Sequence, residues 1–280
     1  MLSPILVRTV SIDASTIRHE AVHSTWLEAE RGISIYLPPG YDPQAPARYP
    51  VLFLHDGQNL FDPARAHVAG QHWQIGETAD RLILAGQVEP LVIVGIDHGG
   101  DARVAEFTPT RGRGRTGGRA RDYGRFVLNE VMPRIFREFA VRQDAASIGL
   151  GGSSLAGLVT LVMALDAPGR FGRLMVMSPS VWWDRAVILK KLVDSRASEG
   201  SFAESSLWLD VGLGEGVSTV RNARRLRDVL RAGTVLHTGG AGGWLRYVED
   251  ADGDHSERSW ARRFEQALSF LYPAARRETA

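Results

Sequence analysis

Gly151-Gly152-Ser153-Ser154-Leu155-Ala156-Gly157 decides how this chain folds. Just upstream, residues 146–150 read as a short buried strand. Just downstream, residues 158–165 are apolar, free of Gly and Pro, and read as a helix. A serine on a sharp turn from strand to helix, ringed by very small residues, is a nucleophile elbow. Such a turn holds the serine in a strained backbone state and brings strand and helix together, so the flanking positions have room for almost no side chain. Two serines compete. With Ser154 at the centre, the residues two away are Gly152 and Ala156; with Ser153 they are Gly151 and Leu155, and leucine is too bulky for the crowded side. The spacing favours Ser154, with Ala156 standing where the G-x-S-x-G pattern has glycine. The bland alternative is a Gly-rich phosphate cradle before a helix. No Lys-Ser/Thr pair follows the glycines, which argues against a P-loop.

Outward from the elbow, the chain alternates strands with helices. Val51-Leu52-Phe53-Leu54-His55 and residues 91–96 are continuous apolar runs, as expected of strands buried on both faces. Residues 174–177, 207–211 and 245–248 continue the series after the elbow. Residues 5–12, 18–24 and 32–37 read as early strands, the last ended by Pro38-Pro39-Gly40. Helices are predicted over 77–85, 126–139, 220–230 and 257–272, with a kink or break at Pro133. This order predicts one α/β domain over residues 1–280: a mostly parallel central sheet of about eight strands with helices on both faces. Active groups then gather at the carboxyl ends of the strands.

Composition narrows the chemistry. The 280 residues are 44% hydrophobic and 23% charged, with a formal net charge of +1, so there is no global pull toward nucleic acid or anionic membranes. Cysteine is absent, which excludes disulfides, thiolate-bound zinc and a thiol nucleophile. The first ten residues are too short and interrupted for a leader or a membrane span, so the expectation is a cytoplasmic protein.

A serine hydroxyl is a weak nucleophile at neutral pH and needs a base oriented by an acid. In α/β-hydrolases they follow in the order Ser, acid, His. His255 lies in the loop after the last strand and before the terminal helix, where the base belongs. His55 and His98 precede the elbow, and His237 sits in a Gly-rich connection. The acid belongs just past the strand 207–211. Glu215, in Leu213-Gly214-Glu215-Gly216, is favoured; Asp210, within the strand, is the second candidate. The oxyanion donors are expected at the backbone N–H of Leu155 and in the turn Asp56-Gly57-Gln58-Asn59.

At this point the residues resemble an esterase family of α/β-hydrolases. That family groups enterochelin esterase, esterase D, feruloyl and acetylxylan esterases and the antigen 85 mycolyltransferases. Leu54-His55-Asp56-Gly57-Gln58-Asn59-Leu60-Phe61, the elbow, Ser178-Pro179-Ser180 with Trp182-Trp183, and His255-Ser256-Glu257 with Trp260 carry the likeness. So do Tyr36-Leu37-Pro38-Pro39-Gly40-Tyr41 and Glu106-Phe107-Thr108-Pro109, and the whole covers roughly residues 16–273. The resemblance implies Ser154 as nucleophile, His255 as base, Glu215 as acid, and the N–H groups of Gln58 and Leu155 as oxyanion hole. It supplies no substrate; the leading expectation is a serine esterase that needs no cofactor and no metal.

Trp182 and Trp183 follow a strand end and are expected on the catalytic rim, one of them in the core. Trp73 and Phe61 are further candidates to line the mouth and bind an aromatic or sugar moiety. Six arginines between Arg111 and Arg125 read as a mobile, solvated loop. A lid for an anionic substrate and a nucleic-acid segment are the alternatives, the latter opposed by the small net charge. Asp250, Asp252 and Asp254 shape the loop presenting His255 rather than a calcium site, since Gly253 is misplaced for an EF-hand. The expected partner is a small-molecule ester. Acyl transfer on the same triad, or non-catalytic binding through the Arg-rich stretch, are the other functions the sequence permits.

Overall fold

A strand of five consecutive apolar residues must be covered on both faces, and this chain covers its sheet on both. The computed structural model describes residues 15–112, 114, 116–195, 205–232 and 245–274. Eight strands form one sheet: β1 (Thr16–Ser24), β2 (Ala29–Leu37), β3 (Val51–His55), β4 (Val92–Ile96), β5 (Ile148–Ser153), β6 (Arg173–Met177), β7 (Ser206–Gly212) and β8 (Leu245–Asp250). Their order is β1-β2-β4-β3-β5-β6-β7-β8. β2 is antiparallel to both β1 and β4, and the remaining pairs are parallel. The helices are α1 (Ile75–Leu84), α2 (Arg103–Glu106), α3 (Ala120–Phe126), α4 (Met132–Glu138), α5 (Leu155–Asp166), α6 (Trp183–Ser195), α7 (Val217–Ala232) and α8 (Glu257–Leu271).

The two-residue period of the strands sorts the core into two layers. Val51 and Phe53 of β3, Val92 and Val94 of β4 and Leu207 and Leu209 of β7 face one side, under residues of α3 to α7. Leu52, Leu54, Ile93 and Trp208 face the other, under α1 and α8. α5 is buried almost all round, which is why its sequence carries no polar stripe. No helix among the described residues is long and apolar enough to cross a membrane.

Three expectations need correction or fall outside the structure. The Arg-rich stretch is not loop throughout. α3 begins at Ala120, where Ala120, Tyr123 and Phe126 are buried at helical spacing beneath a surface of arginines. Arg119 pairs with Asp122, and Arg125 lies over the Trp26 ring at 4.7 Å. Pro133 does not break the helix. A π-helical turn, Val127–Val131, opens the ladder just before it, and Pro133 falls in the first turn of α4, where a missing N–H is tolerated. The strand expected over 5–12 lies outside the described residues, as does His237.

Candidate active site

Ser154 sits between β5 and α5 with φ 59° and ψ −121°, a backbone state that L-residues rarely adopt. Its surroundings over-determine it. Its N–H donates to the Met177 carbonyl at 3.0 Å, and its carbonyl accepts from the N–H groups of Leu158 and Ser180 at 3.1 and 2.9 Å. Ser153 is still in β5, buried and opposite Met177. Ala156 fits for a specific reason: a methyl built on Gly152 would stand 2.6 Å from the Ala156 methyl and 3.4 Å from the His55 Cβ. The methyl is thus accommodated because the strand side of the elbow is bare. Gly152→Ala is expected to destabilise the protein by about 1–3 kcal/mol, and adding Ala156→Gly should recover part of that loss although a helical glycine alone costs about 1 kcal/mol. Denaturant melts of the four proteins in the double-mutant cycle check this; additive losses would show that the two methyls do not meet.

The loop between β8 and α8 delivers His255. Ser256 caps α8, accepting from the Ser259 N–H, and Asp254 accepts from the hydroxyls of Ser256 and Ser259. The acidic run thus holds the loop's shape. His255 Nε2 stands 3.0 Å from Ser154 Oγ, and its Nδ1 stands 2.7 Å from Glu215 Oε2. Glu215 comes from the short turn after β7, with a fully buried side chain. Burial works against its carboxylate, but hydrogen bonds from His255, Ser178 and the Gly212 N–H outweigh it and hold the group below the usual glutamate range. Ser180 Oγ lies 3.3 Å from Ser154 Oγ.

The structure brings Glu215, and not Asp210, to His255. Asp210 is buried one layer below, accepting from the Trp208 indole N–H at 2.7 Å and from the Ser178 N–H at 3.2 Å, and paired with Arg263. Burial pushes its carboxyl up to about 6, against Arg263 and Trp208 and with Glu215 adding to the push. A folded-state value above the unfolded one means that Asp210's contribution to stability is fullest below about pH 4 and falls as pH rises through 6. Asp210→Asn removes that titration. The stability gap between wild type and Asp210→Asn is therefore expected to narrow by about 2–3 kcal/mol from pH 4 to pH 7. Denaturant midpoints along the pH series read it, and a gap that widened with pH would mean a carboxyl ionised throughout.

His55 is buried beneath the elbow, with Nδ1 2.8 Å from the Tyr123 hydroxyl. Burial lowers it to about 4, with Asp56 opposing the shift and Arg103 adding to it, so it is a neutral structural ring. Beyond it, Asp56 opens the turn Gly57–Asn59 with φ 57°. Arg103 of α2 clamps that carboxylate with two hydrogen bonds, Nε–Oδ1 2.8 Å and Nη2–Oδ2 2.7 Å. Leu54 pairs with Gly151, so the turn after β3 stands alongside the elbow at the same end of the sheet.

The rim aromatics divide. Trp182 is 56% exposed, whereas Trp183 is buried and donates its indole N–H to the Thr110 carbonyl at 3.2 Å. With Gly112, Gly114, Thr116, Asp184 and Arg185 they line a cavity of about 430 Å³. Phe61 and Trp73 are both largely buried, although Trp73 also lines a cavity of about 740 Å³ with Gln74, Asp254, Ser256 and Arg258, beside the loop that carries His255. Phe61 is 6% exposed and stacked on Tyr36; Trp73 is 3% exposed and packs on Trp260 and Phe264. Sequence reasoning missed Ser178, Ser180, Arg103 and Arg263. The two serines had a readable signal, since they lie just past the end of β6, at the same end of the sheet as Ser154. Among the described residues there is no group of three or more His, Cys, Asp or Glu arranged to hold a metal.

With that geometry established, likeness to known proteins adds lineage. A family model described as "Putative esterase" matches residues 24–271. Ferri-bacillibactin esterase BesA of Bacillus subtilis is 30% identical over 177 residues, covering 58% of this chain and 58% of that protein. The chain spans about three fifths of the length of the curated relatives it matches. The BES protein from Bacillus cereus superposes with a TM-score of 0.73 at 21% identity, over 97% of this chain and 99% of that one. The enterobactin esterase FES from Shigella flexneri gives 0.72 at 23% identity, over 93% of this chain and 60% of that one. These likenesses speak for the fold, an α/β-hydrolase.

Proposed function

The chain belongs to the family described as "Putative esterase", and from that premise we propose that it is a serine esterase, hydrolysing a small or medium carboxylic ester through an acyl-enzyme. The observation that carries this reading is the continuous line from Ser154 Oγ through His255 to Glu215, at 3.0 and 2.7 Å. In it, Ser154 Oγ attacks the ester carbonyl while His255 Nε2 takes the hydroxyl proton. Glu215 holds Nδ1–H and faces the positive charge that forms on the ring. The carbonyl oxygen becomes an oxyanion, met by the N–H groups of Gln58 and Leu155. Collapse expels the alcohol, which takes the proton back from His255. Water then attacks the acyl-enzyme by the same proton route and frees the acid and Ser154. The Asp56–Arg103 clamp supports the oxyanion role of its turn, because a donor contributes only where it is preorganised.

The acyl or alcohol portion is proposed to carry an aromatic or anionic moiety. Exposed Trp182 offers a stacking face at the rim cavity, with Arg185 beside it. Two similar proteins are named as esterases of ferri-bacillibactin and enterobactin. A fluorophosphonate probe tests the reading: it should label wild type and not Ser154→Ala, and a p-nitrophenyl ester panel should turn over in the same pattern. Folded wild type that neither labels nor hydrolyses any ester of the panel would refute it.

A further inference from the structure

Ser178 stands outside the line of proton transfer, yet three side chains converge on its hydroxyl. A serine hydroxyl has one proton to give and two lone pairs. Both lone pairs of Ser178 Oγ are occupied by groups that can only donate: the Trp260 indole N–H at 3.0 Å and Arg263 Nη2 at 2.7 Å. Its proton is left one acceptor, Glu215 Oε1 at 2.5 Å. That oxygen also accepts from the Gly212 N–H at 2.7 Å, with Arg263 Nη2 a further 3.5 Å away. Oε1 is thereby saturated, and Oε2 is the oxygen left for His255 Nδ1.

The backbone of Ser178 is fixed as tightly. Its φ of 42° is in the left-handed region. Its N–H is shared between the carbonyl oxygen of Asp210 at 3.0 Å and the Asp210 carboxylate at 3.2 Å. Arg263 is 3% exposed and forms an ion pair with Asp210, Nε–Oδ1 3.2 Å. Trp260 and Arg263 lie three residues apart on one face of α8, and the Trp260 ring also stands edge-on to His255 with centroids 4.9 Å apart.

We propose that Ser178 is a positioning residue for the acid of the triad: α8, through Trp260 and Arg263, fixes the Ser178 proton on Glu215 Oε1 and so aims Oε2 at His255. This rests on the reading of Ser154, His255 and Glu215 given above. Ser178 touches no substrate, and its effect on the reaction passes through Glu215 alone.

A double-mutant cycle between Ser178→Ala and Glu215→Gln tests it, with kcat expressed per active site titrated by the fluorophosphonate so that misfolded protein does not count. Ser178→Ala is expected to lower kcat about 5- to 50-fold with KM unchanged, and to lower it by less than twofold when Glu215 is already Gln. The downfield proton resonance of His255 Nδ1–H should shift in Ser178→Ala. If Ser178→Ala does not fold, Trp260→Phe enters the same cycle; it keeps an aromatic ring and removes one donor to Ser178. Arg263→Lys should retain more kcat than Arg263→Met, since only lysine keeps a donor there. An unchanged kcat in Ser178→Ala, or equal losses with and without Glu215, overturns the proposal. A Glu215→Gln protein as active as wild type would instead overturn the assignment of the triad acid.

Discussion

Ser154→Ala is expected to lower kcat/KM on activated esters by about 10⁴- to 10⁶-fold while leaving the fold intact. The expected size follows from what is removed. In the proposed mechanism Oγ is the atom that bonds to the acyl carbon, so its loss closes the two-step route altogether. Turnover then depends on water attacking within a site that still binds substrate and still offers oxyanion donors, which retain about 10³-fold over uncatalysed hydrolysis. Stability should hold for a separate reason. The strain at Ser154 lies in its backbone, with φ 59° and ψ −121°, and alanine inherits that backbone together with its hydrogen bonds to Met177, Leu158 and Ser180. The measurement pairs kcat/KM with the melting midpoint. A variant that melts like wild type and keeps more than a tenth of its activity would take the nucleophile away from Ser154 and leave Ser153, buried at the end of β5, to be tested next.

How far these properties can be read from the sequence depends on whether they follow from order along the chain or from contact across it. The strand-to-helix turn was legible because only tiny residues fit beside Ser154. Glu215 and His255 were legible because each follows a strand, and parallel strands put such loops at one end of the sheet. The tier beneath them was not. Ser178, Trp208, Asp210, Trp260 and Arg263 come from three elements and meet only once α8 lies on β6 and β7. No spacing within one segment encodes that meeting. The aromatics are a different case. Which face a loop residue turns to is set by packing, here against Tyr36, Trp260 and Phe264, so Phe61 is buried while Trp73 keeps an edge on the cavity beside Ser256. In the Arg-rich stretch, composition masked periodicity, since the apolar stripe of α3 is only three residues wide.

Glu215→Gln is expected to lower kcat/KM by about 10³- to 10⁴-fold, because the site dictates which way the amide must face. Two donors converge on Oε1, the Gly212 N–H at 2.7 Å and the Ser178 hydroxyl at 2.5 Å, and the first of them cannot turn away. The amide oxygen must therefore take the Oε1 position. That leaves the NH₂ facing His255 Nδ1, where it donates instead of accepting. Nδ1 becomes the acceptor, the ring proton moves to Nε2, and the nitrogen facing Ser154 Oγ can no longer take a proton. The group is nearly isosteric, so the loss should be in kcat with KM little changed. Asp210→Asn is the control, since Asp210 meets Ser178, Trp208 and Arg263 but not His255. At a pH where it is folded it should lose no more than about tenfold, the scale of a change that reaches the triad only by way of its supports. Equal losses in the two variants would mean that the buried carboxylates act as one unit, and that orientation of His255 cannot be credited to Glu215 alone.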